Sequence, residues 1–208
     1  MKKLFTMFLA CMMIFCFTIE GKSAASFLLK GGVNFSTLQW DPALSGVEET
    51  PRIGLIVGCG FEFEFEKLAL EIDVLYEQKG EKISSSFDTV KSTDIEKLDY
   101  LTIPVILKGM SKDQPVRVFY GAGLGVGVLL SAKDDWEITE DGITMSGSQD
   151  VKDMFKSTDI IAVATIGLDI SNFIIEARAN YGLGNIYNGS GTGTINTLGL
   201  ALMTGYKF

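Results

Sequence analysis

The stretch IGLIVGCGFEFEFEKLALEIDVLY, residues 53–76, decides the fold of this chain. With a period of two, its first half places apolar side chains at every odd position, mostly separated by glycines or glutamates. That apolar set is Ile53, Leu55, Val57, Cys59, Phe61, Phe63 and Phe65. After Glu66-Lys67 the phase changes, and the apolar set becomes Leu68, Leu70, Ile72, Val74 and Tyr76. The pattern predicts a β-hairpin whose strands, of about a dozen residues each, exceed the usual length of about 5–6 residues.

Six further segments show the same alternation, so the sequence predicts eight strands in all. These segments are residues 27–37, 97–110, 116–130, 159–170, 173–183 and 195–208. The polar stretches 39–50, 80–96, 131–156 and 185–194 alternate with the short turns 66–67, 111–115 and 171–172. An even number of strands, joined by short periplasmic turns and long outer loops, is typical of bacterial outer-membrane barrels. The predicted fold class is therefore all-β, an eight-stranded antiparallel up-and-down transmembrane β-barrel.

The two faces of these strands could be arranged in either of two ways. In a soluble lipocalin-like barrel the apolar face would fill the interior, and the face of glycines and acids would meet water. That arrangement would expose four alternating glycines, Gly121, Gly123, Gly125 and Gly127, without any gain in packing. An eight-stranded barrel also has little interior room, which suits glycines better than phenylalanines. We therefore expect the apolar face to meet lipid.

This assignment places twelve charged side chains inside the barrel. They are Lys30, Glu62, Glu64, Glu71, Asp73, Glu77, Lys108, Arg117, Asp159, Asp169, Glu176 and Arg178. An unpaired charge in a narrow barrel would cost several kcal/mol of desolvation, so we expect these side chains to form ion pairs. A proton- or ion-conducting path is one interpretation. Because eight strands leave no open channel, a plug of salt bridges is favoured.

Residues 1–25 have the pattern of a cleaved signal peptide. Lys2 and Lys3 precede an apolar run at residues 4–19, and residues 23–25 (SAA) offer small side chains to signal peptidase. An uncleaved anchor is the alternative, although the run is shorter than the ~20 residues of a spanning helix. Residues 26–208 are predicted to form a single barrel domain. Once three lysines and one glutamate leave with the signal, the net charge falls from −8 to −10, which argues against a nucleic-acid partner.

Little in the sequence points to catalysis, a cofactor or a metal. The chain has no histidine, the commonest general base and the usual metal ligand. Cys59 lies on the apolar face as a small hydrophobic residue, and Glu62 and Glu64 share one strand in a packed lumen. The acids of residues 134–141 could attract calcium, but they lack the spacing of an EF-hand loop. We predict a non-enzymatic protein with no catalytic residues, no cofactor-binding residues and no metal.

Five stretches, taken in order, resemble a known family. They are residues 29–36 (LKGGVNFS), 100–108 (YLTIPVILK), 121–125 (GAGLG), 181–186 (YGLGNI) and 205–208 (GYKF). Through them the mature chain resembles the PorT-like outer-membrane β-barrel proteins, small barrels of the porin family in Gram-negative bacteria. The resemblance implies an outer-membrane location, contact with outer-membrane lipid and insertion by the barrel-insertion machinery. Since some members are linked to protein secretion, it also implies an accessory role in secretion or envelope integrity.

Two functions of different classes remain open. The first is an outer-membrane barrel with a structural or interaction role, whose outer loops meet a protein partner. The second is a secreted or periplasmic lipocalin-like barrel that holds an apolar ligand. For the first, the longest predicted loop, residues 131–156, is the candidate binding region. Among its acids it carries Trp136, Ile138, Ile143, Met145 and Phe155. A simpler interpretation of the same residues is that the neighbouring strands extend beyond the membrane as a hairpin.

Overall fold

The computed structural model of the protein describes residues 24–43, 46–88, 90–111, 115–189 and 192–208. These ranges contain nine strands in one antiparallel sheet. The strands are β1 (Ala24–Asp41), β2 (Glu48–Phe65), β3 (Leu68–Phe87), β4 (Val90–Met110), β5 (Val116–Glu140), β6 (Ile143–Asp150), β7 (Thr158–Ile170), β8 (Phe173–Gly182) and β9 (Thr194–Lys207). Eight strands close into a ring because β1 pairs with β9 and β4 with β5, while β6 pairs only with the outer part of β5. The predicted eight-stranded barrel is confirmed, with one extra strand outside the ring.

Short turns join the strands at one end of the ring, which we call the short-turn end. The predicted two-residue turn between β2 and β3 is present, and Glu66 adopts a φ of 54° there. Ser171 has a φ of 58° at the equivalent position between β7 and β8. Left-handed backbone at the tip of a tight hairpin matches the right-handed twist of the strands that it joins.

The apolar face of the ring points outward, as predicted. Leu124 is 59 % exposed and Tyr120 is 66 % exposed, whereas Lys108 and Arg178 are fully buried. The exposed apolar side chains form a belt that includes Leu29, Val33, Leu55, Val57, Val105, Leu107, Val118, Val126, Ile160, Ile166, Ile175, Leu200 and Leu202. Such a belt is suited to lipid tails. The charged interior does not suit the lipocalin-like alternative, because an apolar ligand requires an apolar cavity.

Three of the four predicted long loops are wrong in extent, because strands continue into them. The predicted loop 80–96 is a hairpin, in which β3 and β4 pair as far as Phe87 and Val90. The predicted loop 131–156 contains the outer part of β5, all of β6 and a short 3₁₀ helix at Lys152–Met154. The predicted loop 39–50 shrinks to 42–47, of which residues 44 and 45 lie outside the described ranges. Beyond the lipid belt neither face of a strand needs to be continuously apolar, so the apolar alternation that marks a strand disappears.

The predicted signal peptide lies almost entirely outside the described residues, which begin at Ala24. The predicted mature terminus, Ser26, is the third residue of β1. Within the described part of the chain, no helix is long and apolar enough to cross a membrane.

Candidate functional regions: the protruding sheet and the charged lumen

A sheet projects from the ring at the end opposite the short turns. We call it the blade, and it comprises residues 81–87 of β3, 90–99 of β4, 131–140 of β5 and all of β6, with residues 48–51 of β2 paired to residues 81–84 at its base. Its base is marked by two irregularities of register, one between Asp99 and Tyr100 and one between Pro51 and Ile56. Bulges of this kind bend a strand and redirect it. The blade is therefore a continuation of the barrel strands rather than a separate loop.

The strand β6 forms a free edge of the blade. Among the described residues it pairs with β5 alone, from Ile143 opposite Glu140 to Asp150 opposite Lys133. Natural edge strands are usually protected against pairing by proline, lysine, inward charges or bulges. The sequence of β6, ITMSGSQD, contains no proline and no lysine, and its first charged residue is Asp150. Its backbone edge is accordingly open to a further strand.

The apolar residues predicted for the binding region differ in their exposure to solvent. Ile143 and Met145 are 69 % and 54 % exposed on β6. Trp136 instead packs across β6, since a Cβ built on its direct partner Gly147 would lie 2.6 Å from the indole ring. Phe155 is buried, which corrects its assignment to an exposed surface.

Phe155 belongs to an apolar cap that fills the lumen at the blade end. The cap consists of Leu38, Leu98, Tyr100, Leu129, Ala132, Val151, Phe155, Ile186 and Ile195, with Trp40 and Tyr187 packed against it. Within the cap, a β-bridge joins Phe155 to Tyr187. The cap closes the lumen at the blade end, and its Leu98 and Ala132 lie at the base of the blade.

The acids of the blade do not converge on a metal site. Asp134 accepts a hydrogen bond from Gln149 at 2.9 Å, and Asp135 accepts one from Ser148 at 2.6 Å and pairs with Lys97. The described residues that bring three acidic groups close enough for one metal ion do not include any acid of the blade. The calcium interpretation of residues 134–141 therefore gains no support from their arrangement.

Three acids instead form a row across the inner face of the blade, just above the cap. Glu96 on β4 lies directly opposite Glu81 on β3 and Asp134 on β5. Burial raises the pKa of Glu96 to about 8, and the negative charges of Glu81, Asp134 and Asp94 add to this shift. Burial also raises the pKa of Glu81, although hydrogen bonds from Trp40 and the Leu38 amide oppose the shift. Glu96 is therefore the acid of this row whose charge changes closest to neutral pH.

Below the cap, the lumen contains all twelve charged side chains that the alternation predicted. The largest group, which we call the central ion cluster, consists of Lys30, Glu71, Asp73, Lys108, Glu176 and Arg178. The Arg178 guanidinium lies 3.0 Å from Glu71, 2.8 Å from Asp73 and 2.7 Å from Glu176. Lys30 reaches Glu71 at 2.6 Å and Glu176 at 2.9 Å. The predicted plug of salt bridges is present at this level.

A second ion cluster lies nearer the short-turn end. Glu62, Glu64 and Asp169 place carboxylate oxygens within 4.8 Å of one another, as a metal site would. The Lys207 ammonium, however, lies 2.5 Å from Glu62, 2.9 Å from Glu64 and 2.9 Å from Asp169. Arg117 adds a bidentate contact to Glu64, with both distances 2.9 Å. A lysine therefore occupies the position that a cation would take, and Glu62 and Glu64 are engaged in ion pairs.

Sequence reasoning missed three lumen residues. Lys207 lies in the predicted strand 195–208 but is not among the charged side chains expected inside the barrel. Lys79 lies between the predicted hairpin and the predicted loop 80–96, which contains Glu81, although both residues continue the inward phase of Glu77 along β3. The signal that could have found them is weak, because residues 77–82 (EQKGEK) are polar in both phases.

The comparisons with known proteins agree with a barrel. Residues 22–188 match the family described as "Outer membrane protein beta-barrel domain". No curated protein sequence matches the chain.

Similar solved structures include Neisserial surface protein A (NspA), with 13 % identity, 89 % of this chain and 99 % of that chain covered, and a TM-score of 0.46. They also include Ail, the attachment invasion locus protein of Yersinia pestis, with 12 % identity, 88 % and 99 % covered, and a TM-score of 0.45. A third is the N-terminal β-barrel domain of Pseudomonas aeruginosa OprF, with 13 % identity, 90 % and 100 % covered, and a TM-score of 0.37. Because the family match covers most of the chain, and the strands close into a ring with its apolar face outward, the protein belongs to the outer membrane protein beta-barrel domain family.

Proposed function

We propose that this protein is a non-enzymatic outer-membrane barrel whose blade binds an extended, basic segment of another protein by strand addition to β6. The observation that carries the proposal is the free and unprotected edge of β6. Strand addition uses the backbone of such an edge for affinity and its alternate side chains for specificity. The ring itself is filled with ion pairs and glycines, which leaves the blade as the surface available for recognition.

The charge of the hairpin formed by β5 and β6 determines the class of partner. Residues 131–150 contain six acidic side chains and one basic side chain. Complementary charge favours a basic partner and speeds its encounter with the blade. The exposed Ile143 and Met145 provide apolar contacts on one face of β6.

The affinity expected from the edge alone is modest. In an antiparallel ladder only alternate residues turn their backbone groups to a given side, so eight residues present about eight groups to a partner. Each backbone hydrogen bond contributes about 0.5–1.5 kcal/mol net, and ordering of the incoming segment offsets much of the sum. Charge and apolar contacts must therefore supply much of the binding energy. Changing either of them should weaken binding measurably.

The proposal also includes a cleaved signal peptide, a more specific family affiliation, a route of membrane insertion and a cellular role. A signal peptide ending near residue 25, a PorT-like affiliation, and insertion by the barrel machinery are supported by the sequence patterns described above. An accessory role in secretion or envelope integrity is compatible with a blade that captures an extended segment.

Site-specific photocrosslinking in intact cells tests the edge. A photoreactive residue replaces either Ser146, on the free edge, or Ser84, which pairs with Glu48 on one side and Thr93 on the other. We expect discrete protein adducts from position 146 and none from position 84. Equal adducts from both positions, or none from position 146, would contradict the proposal.

Synthetic peptides test the partner's chemistry. An eight-residue peptide of alternating lysine and valine is added to the purified protein in lipid nanodiscs, and an alternating glutamate and valine peptide serves as its control. The basic peptide should slow hydrogen exchange of the β6 amides, and the acidic peptide should not. Protection by both peptides would contradict the role of charge, and protection by neither would contradict strand addition.

Deletion of residues 136–150 should abolish binding while the barrel still inserts and keeps its heat-modifiable migration on gels.

A further inference from the structure

A layer of polar side chains lies between the central ion cluster and the apolar cap. We call it the polar layer, and it consists of Asn34, Glu77, Lys79, Asp159, Asn180 and Tyr100, whose hydroxyl belongs to the layer while its ring packs in the cap. These residues come from β1, β3, β4, β7 and β8, so they line the lumen from several sides. All six are at least 98 % buried. Nothing in the ion clusters or in the blade depends on this layer.

Asp159 carries the unbalanced charge of the layer. Its Oδ2 accepts a hydrogen bond from Thr197 at 2.7 Å, while Oδ1 is buried without a partner among the described residues. Lys79, the one described cation in the layer, lies 3.3 Å from Glu77 and 5.1 Å from the centre of the Tyr100 ring. Lys79 supplies one positive charge against the two carboxylates Glu77 and Asp159, so the layer retains one net negative charge. Leaving such a carboxylate buried and unpaired would be strongly destabilising.

The other unpartnered atoms of the layer are mainly oxygens. Among the described residues, Asn34 Oδ1, Glu77 Oε2, Tyr100 OH, Lys79 Nζ and both amide atoms of Asn180 have no hydrogen-bond partner. Buried amides and hydroxyls are nearly always satisfied in folded proteins, so an unsatisfied group of this size points to a bound species. Carboxylate, amide and phenol oxygens are the ligands that hard cations prefer.

Three glycines keep side chains out of the lumen at the same level. A Cβ built on Gly127 would lie 3.1 Å from Tyr100 and 3.7 Å from Asp159. A Cβ on Gly182 would lie 3.0 Å from Asp159 Oδ1, and one on Gly199 would lie 3.1 Å from Asn34 Oδ1. Side chains at these positions would fill the region around the unpartnered oxygens.

We infer that the polar layer binds one monovalent metal cation, such as sodium or potassium, with Asp159 as its charged ligand. A single positive charge neutralises the layer, whereas a divalent cation would leave an excess positive charge. Asn34, Asn180 and Tyr100 supply neutral oxygens around it, directly or through water. The cation supplies a second positive charge to the layer, beside that of Lys79, and so balances Glu77 and Asp159 together.

The layer is closed on both sides, which determines how the ion enters. The apolar cap lies above it, and Ile56, Leu75, Ile106 and Ile161 fill the lumen below it. Exchange through these seals is slow, so the cation is acquired during folding. The test must therefore refold the protein in the ion under study.

The experiment refolds the full mature chain into lipid vesicles in sodium, potassium or N-methylglucamine chloride at equal ionic strength, and then measures its melting temperature. Asp159→Asn preserves the volume of the side chain and removes its charge. Asp153→Asn, at an exposed position of the 3₁₀ helix, is the matched control. The wild type and Asp153→Asn should melt several degrees higher in at least one metal ion than in N-methylglucamine. Asp159→Asn should melt at one temperature in all three salts.

Two outcomes would overturn the inference. If the wild type melts at the same temperature in all three salts, Asp159 is neutralised by a proton and the layer contains water only. If Asp159→Asn keeps the preference for the metal ion, the ion binds elsewhere. A crystal grown from protein refolded in thallium should show an anomalous peak beside Asp159, and a peak only at the surface would also reject the site.

Discussion

The ring and the blade are built from the same strands, yet their residues are constrained in different ways. In the ring, each strand position faces either lipid or a filled lumen, and each hydrogen-bonding edge is paired. In the blade, only the inner face near the cap is buried, and β6 leaves one edge open among the described residues. A substitution in the ring must therefore fit a fixed environment, whereas a substitution in the blade mainly alters local order or binding. The predictions below test that contrast, from the largest expected effect to the smallest.

Gly123→Leu should prevent the barrel from folding. A Cβ at this position would lie 2.0 Å from the Val105 carbonyl oxygen and 2.8 Å from the Ile106 Cα, both backbone atoms of β4. Backbone atoms of a paired strand cannot move aside without breaking the ladder, so overpacking here is severe. Loss of heat-modifiable migration on gels is the measurement.

Val126→Leu is the matched substitution on the lipid face. Val126 is 47 % exposed on the same strand, so an added methylene should leave folding almost unchanged. Equal loss of the folded form in the two variants would mean that the two faces of β5 are equivalent.

Arg178→Met should destabilise the ring strongly without abolishing its topology. The guanidinium is buried and contacts Glu71, Asp73 and Glu176, so its removal leaves carboxylates with too few partners. Breaking a buried ion pair in this way costs about 3–5 kcal/mol. The urea midpoint for loss of the heat-modifiable form should fall accordingly.

Arg117→Met provides the comparison within the lumen. The Arg117 side chain is 19 % exposed near the short-turn end, and Lys207 still contacts Glu64 and Asp169 after its removal. The shift in urea midpoint should be clearly smaller than that of Arg178→Met. Similar shifts would show that the central ion cluster is no more critical than the end of the barrel.

The same contrast explains which features the sequence could predict. In the ring, alternation assigned Lys30 and Glu176 to the lumen, because lipid requires an apolar opposite face. It could not predict that these two residues pair at 2.9 Å, since they are 146 positions apart and meet only through closure of the ring. In the blade, residues 84–86 (SSS) and 146–148 (SGS) have no apolar phase, so strands there resemble loops.

Gly147→Val should disturb the blade alone. A Cβ at Gly147 would lie 2.6 Å from the Trp136 ring, so the larger side chain must displace the indole. Overpacking costs about 1–3 kcal/mol, here confined to the β5–β6 hairpin. Tryptophan emission should shift to the red while heat-modifiable migration is retained.

The exposed Ser146 next to Gly147 provides the control. Ser146→Val adds a β-branched side chain on the opposite face of β6, away from Trp136. Its emission should match that of the wild type. A loss of the folded barrel in Gly147→Val would contradict the independence of ring and blade.

The expected effect that disturbs the ring least is a pH dependence confined to the blade. Because burial raises the pKa of Glu96 from 4.5 to about 8, the folded blade binds its proton more tightly than the unfolded chain does. The stabilisation is therefore complete below about pH 4.5 and is lost as the pH rises towards 8. Glu96→Gln should remove this decline, because the amide that replaces the carboxyl does not titrate in this pH range.

The two tryptophans of the protein, Trp40 and Trp136, lie at the rim and in the blade, so their emission during urea titration at pH 5 and pH 9 reports this region. The urea midpoint should be higher at pH 5 in the wild type and equal at both values in the variant; a decline that persists in the variant would assign the titration to another acid of the row.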